Sequence, residues 1–280
     1  MKTALNPRKI LLRTVFFLIL AVVCILTLYP FIIMISGSFK TDLEMNSYPL
    51  RIIPQTGTLA HYVKLFATIP FFRQFGNSML VAVVSATGAM MFNGMVAYGF
   101  SRFSFRGKHT LFTLLLATML IPSQVYLVPQ FQMYKSMSLF GTYVPLIVPS
   151  LINAFGVFLV CQTMKQIPVD LYESATIDGC GEFKIFLRIA VPLSAAGIGL
   201  QGVLTFMNAW NDFLTPLIYL NNDIRFTLPI GLMKLQSFYN VSYGSPLAGA
   251  ALSCVPIVIL IGVVGQKYFV QGMMAGAVKG

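Results

Sequence analysis

Charged side chains make up only 10% of the 280 residues, and just 8 of them are acidic. A water-soluble domain draws about a quarter of its residues from Asp, Glu, Lys and Arg, so this chain has too little polar surface to face water on all sides. Metal chemistry is equally short of material. His61 and His109 are the only histidines, both outside the apolar runs, where an isolated imidazole reads as a solvated side chain and not as a ligand. Cys24, Cys161, Cys180 and Cys254 form no CxxC pair and no disulfide framework, and read as small buried hydrophobes. No GxxxxGK(S/T) stretch is present to cradle phosphates, so nucleotide chemistry is expected on another polypeptide, with no metal and no cofactor bound here.

What the chain has is apolar length. Hydrophobic residues reach 57%, with 24 Phe and 12 Tyr, which argues for burial in lipid and excludes a disordered or collagenous chain. Six stretches are nearly free of charge and long enough to span a bilayer: Thr14–Ile35, Gln74–Ser101, Thr110–Tyr134, Ser136–Met164, Ile189–Asn211 (continuing past Asp212 to Asn222) and Leu235–Gln266. The apolar part of the first is too long for a signal-peptide core and no small-x-small site closes it, so it is expected to remain as a spanning helix. The fold class is therefore all-α integral membrane, with six transmembrane helices in a single domain over 1–280, its core at about 74–270 and its first span at about 10–36.

The net charge of +11 has a topological explanation, so no nucleic-acid partner is expected. Of the 19 basic residues, 12 lie at the amino terminus, the second and fourth loops and the carboxyl tail. The other seven are spread over the opposite side, which puts both termini in the cytoplasm of a multi-pass inner-membrane protein. Pro122 and Pro129, Pro145 and Pro149, Pro216 and Pro256 disturb the last four spans. Broken backbone at that depth is tolerated where it lines a watery cavity or is buried in protein, so kinked structural helices and a conduit are both consistent with it.

Along the fifth span, Gln201, Thr205, Asn208, Asp212 and Thr215 recur at steps of four, three, four and three, which places them on one helix face, with Asn211 at its border. Polar groups are costly against lipid, so this face is expected to look into the bundle, as a path for a polar solute or as glue between helices. Trp210 points away from the stripe and reads as an interfacial anchor.

Four of the eight acidic residues fall between the fourth and fifth spans, in QIPVDLYESATIDGCGEFKIFLRIAVPLS at about 166–192. Pro168 fits a first helical turn, the segment through Ile177 has helix-forming character, and Gly179 and Gly181 stop it. A second short helix is expected over Glu182–Ile189, carrying Phe183, Phe186 and Leu187 on one side, before Pro192 turns the chain back into the membrane. Such a helix-turn-helix suits docking in a partner's groove, with Ala175 and Gly179 permitting close approach.

Glu173, Ser174, Ala175, then three residues, Gly179, nine residues, and Ile189-Ala190-Val191-Pro192 resembles the EAA coupling loop of ABC importer permeases. Ser174 and Val191 are the departures. YPLRIIPQTGTLAHYVKLF, FGNSMLVAV, MLIPSQVYLVPQF, NAWNDFLTPL and YFVQGMMAGAVKG extend the likeness to carbohydrate-type permeases, in particular the second permease subunit of maltose-type importers. The resemblance implies a homologous permease partner and two ATPase subunits that bind ATP and Mg. It also implies an extracytoplasmic binding protein that delivers a sugar or oligosaccharide. It assigns Glu173, Ser174, Ala175, Asp178, Gly179 and Phe183 to ATPase coupling, brings the tail from Gly272 to Gly280 near the ATPase, and leaves the chain itself a pore subunit and not an enzyme. An ion-coupled secondary transporter is the alternative, weakened because Asp212 is the sole intramembrane acid; a permease for a non-sugar solute is another. A membrane enzyme lacks any paired acid and base.

Overall fold

The computed structural model describes residues 7–47, 51–235 and 243–262. Their regular structure is helical. In chain order the helices are α1 (Pro7–Ser38), α2 (Asp42–Met45), α3 (Ala60–Thr68), α4 (Phe71–Arg102), α5 (Lys108–Ala117), α6 (Leu127–Ser136), α7 (Val144–Leu151) and α8 (Ala154–Met164). They continue as α9 (Val169–Ile177), α10 (Glu182–Ile185), α11 (Val191–Leu193), α12 (Ala195–Asn211), α13 (Leu214–Tyr219), α14 (Leu228–Met233) and α15 (Gly244–Leu260). The chain separates into two compact units, Met1–Ile69 with Leu232–Cys254 and Pro70–Gly231 with Val255–Gly280, each within the described residues.

In the first unit α1 is apolar all round, and every residue from Leu11 to Pro30 is exposed, Cys24 included. Such a stretch is long and apolar enough to cross a membrane. His61 corrects the expectation of a solvated imidazole. It is buried, with Nε2 at 2.8 Å from the Lys40 carbonyl and 3.8 Å from Asp42, because α3 folds back over the end of α1, where the Tyr62 and Ser38 hydroxyls also meet at 2.8 Å.

Three helical stretches of the described residues are long and apolar enough to cross a membrane: Leu11–Ser38, Phe71–Arg102 and Val144–Met164. Two more candidates are bent pairs, in the third and fifth of the expected spans, both of which carry helix-disturbing prolines. Lys108–Leu120 and Ser123–Ser136 meet at 89°, and Glu182–Leu193 and Ala195–Asn211 at 81°. Pro122 explains the first bend: its ring pushes Ile121 out of the helical region, to φ −90° and ψ 112°. At the second, Pro192 has no N–H for the preceding turn. The backbone widens into a π-type turn over Phe186–Ala190 and breaks at Ser194, whose hydroxyl bonds the Ala190 carbonyl at 2.5 Å. The sixth expected span corresponds to α15, 17 residues in length, and both residues 236–242 near the start of that stretch and residues 263–266 at its end lie outside the described residues.

In the second unit α4 is the central helix. Val81, Ala82, Ala86, Ala89 and Ala97 are buried along it, small residues that let α7, α8 and α12 approach closely. Not all of its buried face is apolar: Gln74, Ser78, Ser85 and Asn93 lie on it too. Ser78 accepts the Leu228 amide at 2.8 Å, which ties α4 to the chain entering α14.

Candidate functional site

Two places collect the chemistry, both within the second unit. The first is a cavity of about 650 Å³, a usual size for a small-molecule site. Gln201, Thr205, Asn208, Asp212 and Thr215 all line it, but the geometry differs from a single helix face. Helix α12 ends at Asn211. Asp212 leaves the helix at φ −67° and ψ 122°, and its Oδ1 accepts the Thr215 amide at 3.1 Å to start α13. The last two members of the stripe reach the cavity through a capped break. Asn211 turns away, its amide donating back to the Met207 carbonyl at 2.9 Å, and is not among the lining residues.

Trp210 is a correction. It is buried, stacked on Phe206 at 5.9 Å between ring centroids and set edge-on to Phe75 at 5.3 Å, so it fastens α12 to α4 and does not anchor the chain at a membrane interface.

The opposite wall comes from the other broken elements. Ser123, Tyr126 and Gln130 follow the Pro122 bend, while Ser150 and Asn153 flank the gap between α7 and α8. That gap is held by amides. Asn153 caps α8 by accepting the Gly156 amide at 2.6 Å, and its own N–H donates to Asn93 Oδ1 at 3.0 Å. Gly156 is required by proximity: a Cβ there would lie 2.6 Å from Asn93 Nδ2 and 2.9 Å from Gln201 Cγ. Gln201 Nε2 in turn donates to Thr205 Oγ1 at 3.1 Å. Sequence reasoning missed Asn93, Ser150 and Asn153. The signal for Asn93 was present, since Gln74, Ser78, Ser85 and Asn93 mark a polar line on the second span as the stripe does on the fifth.

The second place is the elbow between α8 and α12. Pro168 precedes α9 and Asp170 sits in its first turn, where a negative charge suits the helix dipole. The helix closes in a Schellman arrangement: the Gly179 amide donates to the Thr176 carbonyl and the Cys180 amide to the Ala175 carbonyl, both at 3.0 Å. Gly179 adopts φ +76°, a conformation that disfavours any side chain. After the turn α10 covers only Glu182–Ile185, shorter than the expected Glu182–Ile189, because the π-type turn takes over at Phe186.

The elbow is fixed to its own chain by one face. Tyr172, Ala175, Ile185 and Phe186 are buried in a cluster with Tyr98 and Met164. The Tyr98 hydroxyl donates to Glu182 Oε2 at 2.5 Å, and the Arg102 guanidinium lies 5.2 Å from the Tyr172 ring centroid. Burial pushes the Tyr172 hydroxyl above the ordinary tyrosine value, against the pull of Arg102. Ala175 therefore faces inward and packs against this chain's own core, whereas close approach to a partner was expected of it. Glu173, Ser174, Asp178, Gly179 and Phe183 lie on the exposed side, and Ser174 bonds back to the Asp170 carbonyl at 2.8 Å. Between them Ile177 is 86% exposed, an apolar residue that sequence reasoning passed over. The tail from Gly272 to Gly280 lies outside the described residues.

Comparison with known proteins gives a consistent result. Residues 90–274 match the family model described as binding-protein-dependent transport system inner membrane component. The arabinooligosaccharides transport system permease protein AraQ of Halalkalibacterium halodurans is 34% identical over the whole of both chains. The inner membrane ABC transporter permease protein YcjP of Escherichia coli is 33% identical, over 98% of this chain and 99% of that one. Among solved structures, a chain from a bacterial ABC transporter involved in the import of the acidic polysaccharide alginate superposes with a TM-score of 0.83. It covers 96% of this chain and 100% of its own at 20% identity, a likeness of fold.

Proposed function

Because this chain belongs to the binding-protein-dependent transport system inner membrane components, multi-pass permease subunits of ABC importers and not enzymes, we propose that it forms half of the path by which a sugar or oligosaccharide enters the cytoplasm. The observation that carries the reading is the pairing of a hydroxyl- and amide-lined cavity with an elbow that is anchored on one face and bare on the other. Permease relatives with arabinooligosaccharides in their names favour a carbohydrate cargo.

In this reading a homologous permease supplies the other wall, an extracytoplasmic binding protein hands over the cargo, and two ATPase subunits hold ATP and Mg and dock on the elbow from the cytoplasm. Glu173, Ser174, Ile177, Asp178, Gly179 and Phe183 form the contact, and Ala175 supports it from behind. Closure of the ATPases pushes on α9. The push passes through the Tyr172 and Phe186 cluster to α4 and through the Ser194 break to α12, so that the cavity opens alternately to each side. ATP and cargo must bind the two states unequally for this to do work. Cargo meets Asn208, Asp212 and Thr215, with Gln201 and Thr205 behind them.

The test is reconstitution of the chain with its partner subunits in proteoliposomes, measuring ATP hydrolysis and saccharide uptake together. Uptake that needs ATP and the binding protein, and that stops when Asn208 is replaced by Trp, is the expected result. Saccharide uptake driven by an ion gradient without ATP would overturn the reading.

A further inference from the structure

We infer that the cavity selects uncharged, hydroxyl-rich saccharides and rejects carboxylated ones; the inference rests on the solute-path reading above. Among the described residues lining the cavity none is Lys, Arg or His, and Asp212 is the sole ionisable carboxylate. Every other polar contribution is a neutral hydroxyl or amide, including Ser150, Asn153 and Asn208.

The placement of Asp212 sharpens the point. One carboxylate oxygen accepts the Thr215 amide, and no guanidinium or ammonium among this chain's described lining residues offsets the charge. A sugar hydroxyl donates to such a group. A uronate carboxylate accepts only, and brings a second negative charge into a cleft with low-dielectric walls, where like charges repel most. Tyr126, 43% exposed on the same cavity, offers a ring face for the C–H side of a pyranose or furanose.

The test uses the complete assembly in nanodiscs without binding protein, so that the choice made by the cavity is read alone. Ala209, which lines the cavity, is replaced by Cys, and its labelling by a water-soluble maleimide is followed against the same assembly lacking that cysteine. A neutral trisaccharide is expected to protect at about 10-fold lower concentration than a trigalacturonate, an electrostatic preference that shrinks with added salt. Asp212→Asn, which keeps an oxygen to cap α13, should narrow the gap; Asn208→Lys should do so independently, should the first variant fail to assemble. Equal protection by the two trisaccharides, or a gap unmoved by both variants, would overturn the charge inference while leaving the solute path standing. Free labelling that neither saccharide slows would remove the path reading itself, and this inference with it.

Discussion

Replacing Tyr98 by Phe removes one oxygen and leaves a ring. That ring lies 6.1 Å from Tyr172, 5.4 Å from Phe186 and 5.8 Å from Phe103 between centroids, contacts that Phe retains. What is lost is the 2.5 Å donation to Glu182 Oε2, which ties the first residue of α10 to α4. Bonds to charged acceptors contribute about 1.5–3 kcal/mol. The Glu182 side chain is 44% exposed and can rehydrate, so a loss of about 1.4 kcal/mol, just below that range, is expected, a tenfold change in a local opening constant. The assay is amide hydrogen exchange over residues 169–185 in the nanodisc assembly, where exchange should rise about tenfold while α12 is unchanged. Arg102, at 3.8 Å from the other Glu182 oxygen, forms the weaker contact, and Arg102→Gln should change exchange by less than about threefold through that ion pair. Unaltered exchange in Tyr98→Phe would refute the claim that a tyrosine latch holds the elbow.

Gly156→Ala places a methyl 2.6 Å from Asn93 Nδ2, 2.8 Å from Asn153 Oδ1 and 2.9 Å from Gln201 Cγ, so the melting temperature in detergent should fall by the equivalent of about 1–3 kcal/mol. An unchanged melting curve would mean that the amide cluster has room to give. The Tyr172 hydroxyl is buried without a hydrogen-bond partner and its pKa is raised, so its contribution to stability is fully present below the ordinary value of about 10 and is lost as pH rises through the higher folded value. Tyr172→Phe should reduce that alkaline loosening of the elbow, read as exchange against pH from about 9 to 11, and should cost no stability at neutral pH; a variant as alkali-sensitive as the parent would contradict the assignment. Ile177→Asp should leave the fold within about 0.5 kcal/mol, because the residue is 86% exposed, yet weaken ATPase-subunit binding about tenfold or more. Unchanged affinity in a pull-down titration would remove Ile177 from the docking face.

Helical spans were legible because lipid imposes a length and an apolar content that composition reveals directly, and α4 at Phe71–Arg102 extends only a few residues beyond the charge-free stretch from Gln74 to Ser101. That the later spans are disturbed was legible from their prolines, but which proline makes a sharp bend was not. A proline marks every disturbed span, but Pro129, Pro145 and Pro216 sit in first turns where proline costs little, Pro149 and Pro256 lie inside helices, and Pro122 alone of these stands at a sharp break. What separates them is whether the preceding residue is already outside the helix, a property of the tertiary arrangement. His61 and Trp210 failed for a related reason: an isolated imidazole or indole near the end of a span carries no sign of the segment that covers it, here the Lys40 carbonyl in one case and Phe206 with Phe75 in the other.

The stripe on the fifth span is the most instructive case, because the residues converge although the geometric premise does not hold. A straight helix would put Asp212 and Thr215 on the same face as Gln201, but α12 ends first. They reach the same cavity because Asp212 caps the next helix with its own side chain, so the carboxylate that faces the cavity also fixes the break that makes room for it. The two roles can be separated. Asp212→Asn keeps an acceptor for the Thr215 amide and loses the charge, whereas Asp212→Ala loses both and should cost a further 1 kcal/mol or so as a missing cap. A melting temperature lowered by Ala and spared by Asn, with cargo preference altered by both, is the pattern expected if charge and cap are distinct functions of one side chain. Equal destabilisation by the two substitutions would show that the charge itself, and not the hydrogen bond to Thr215, holds α13 in place.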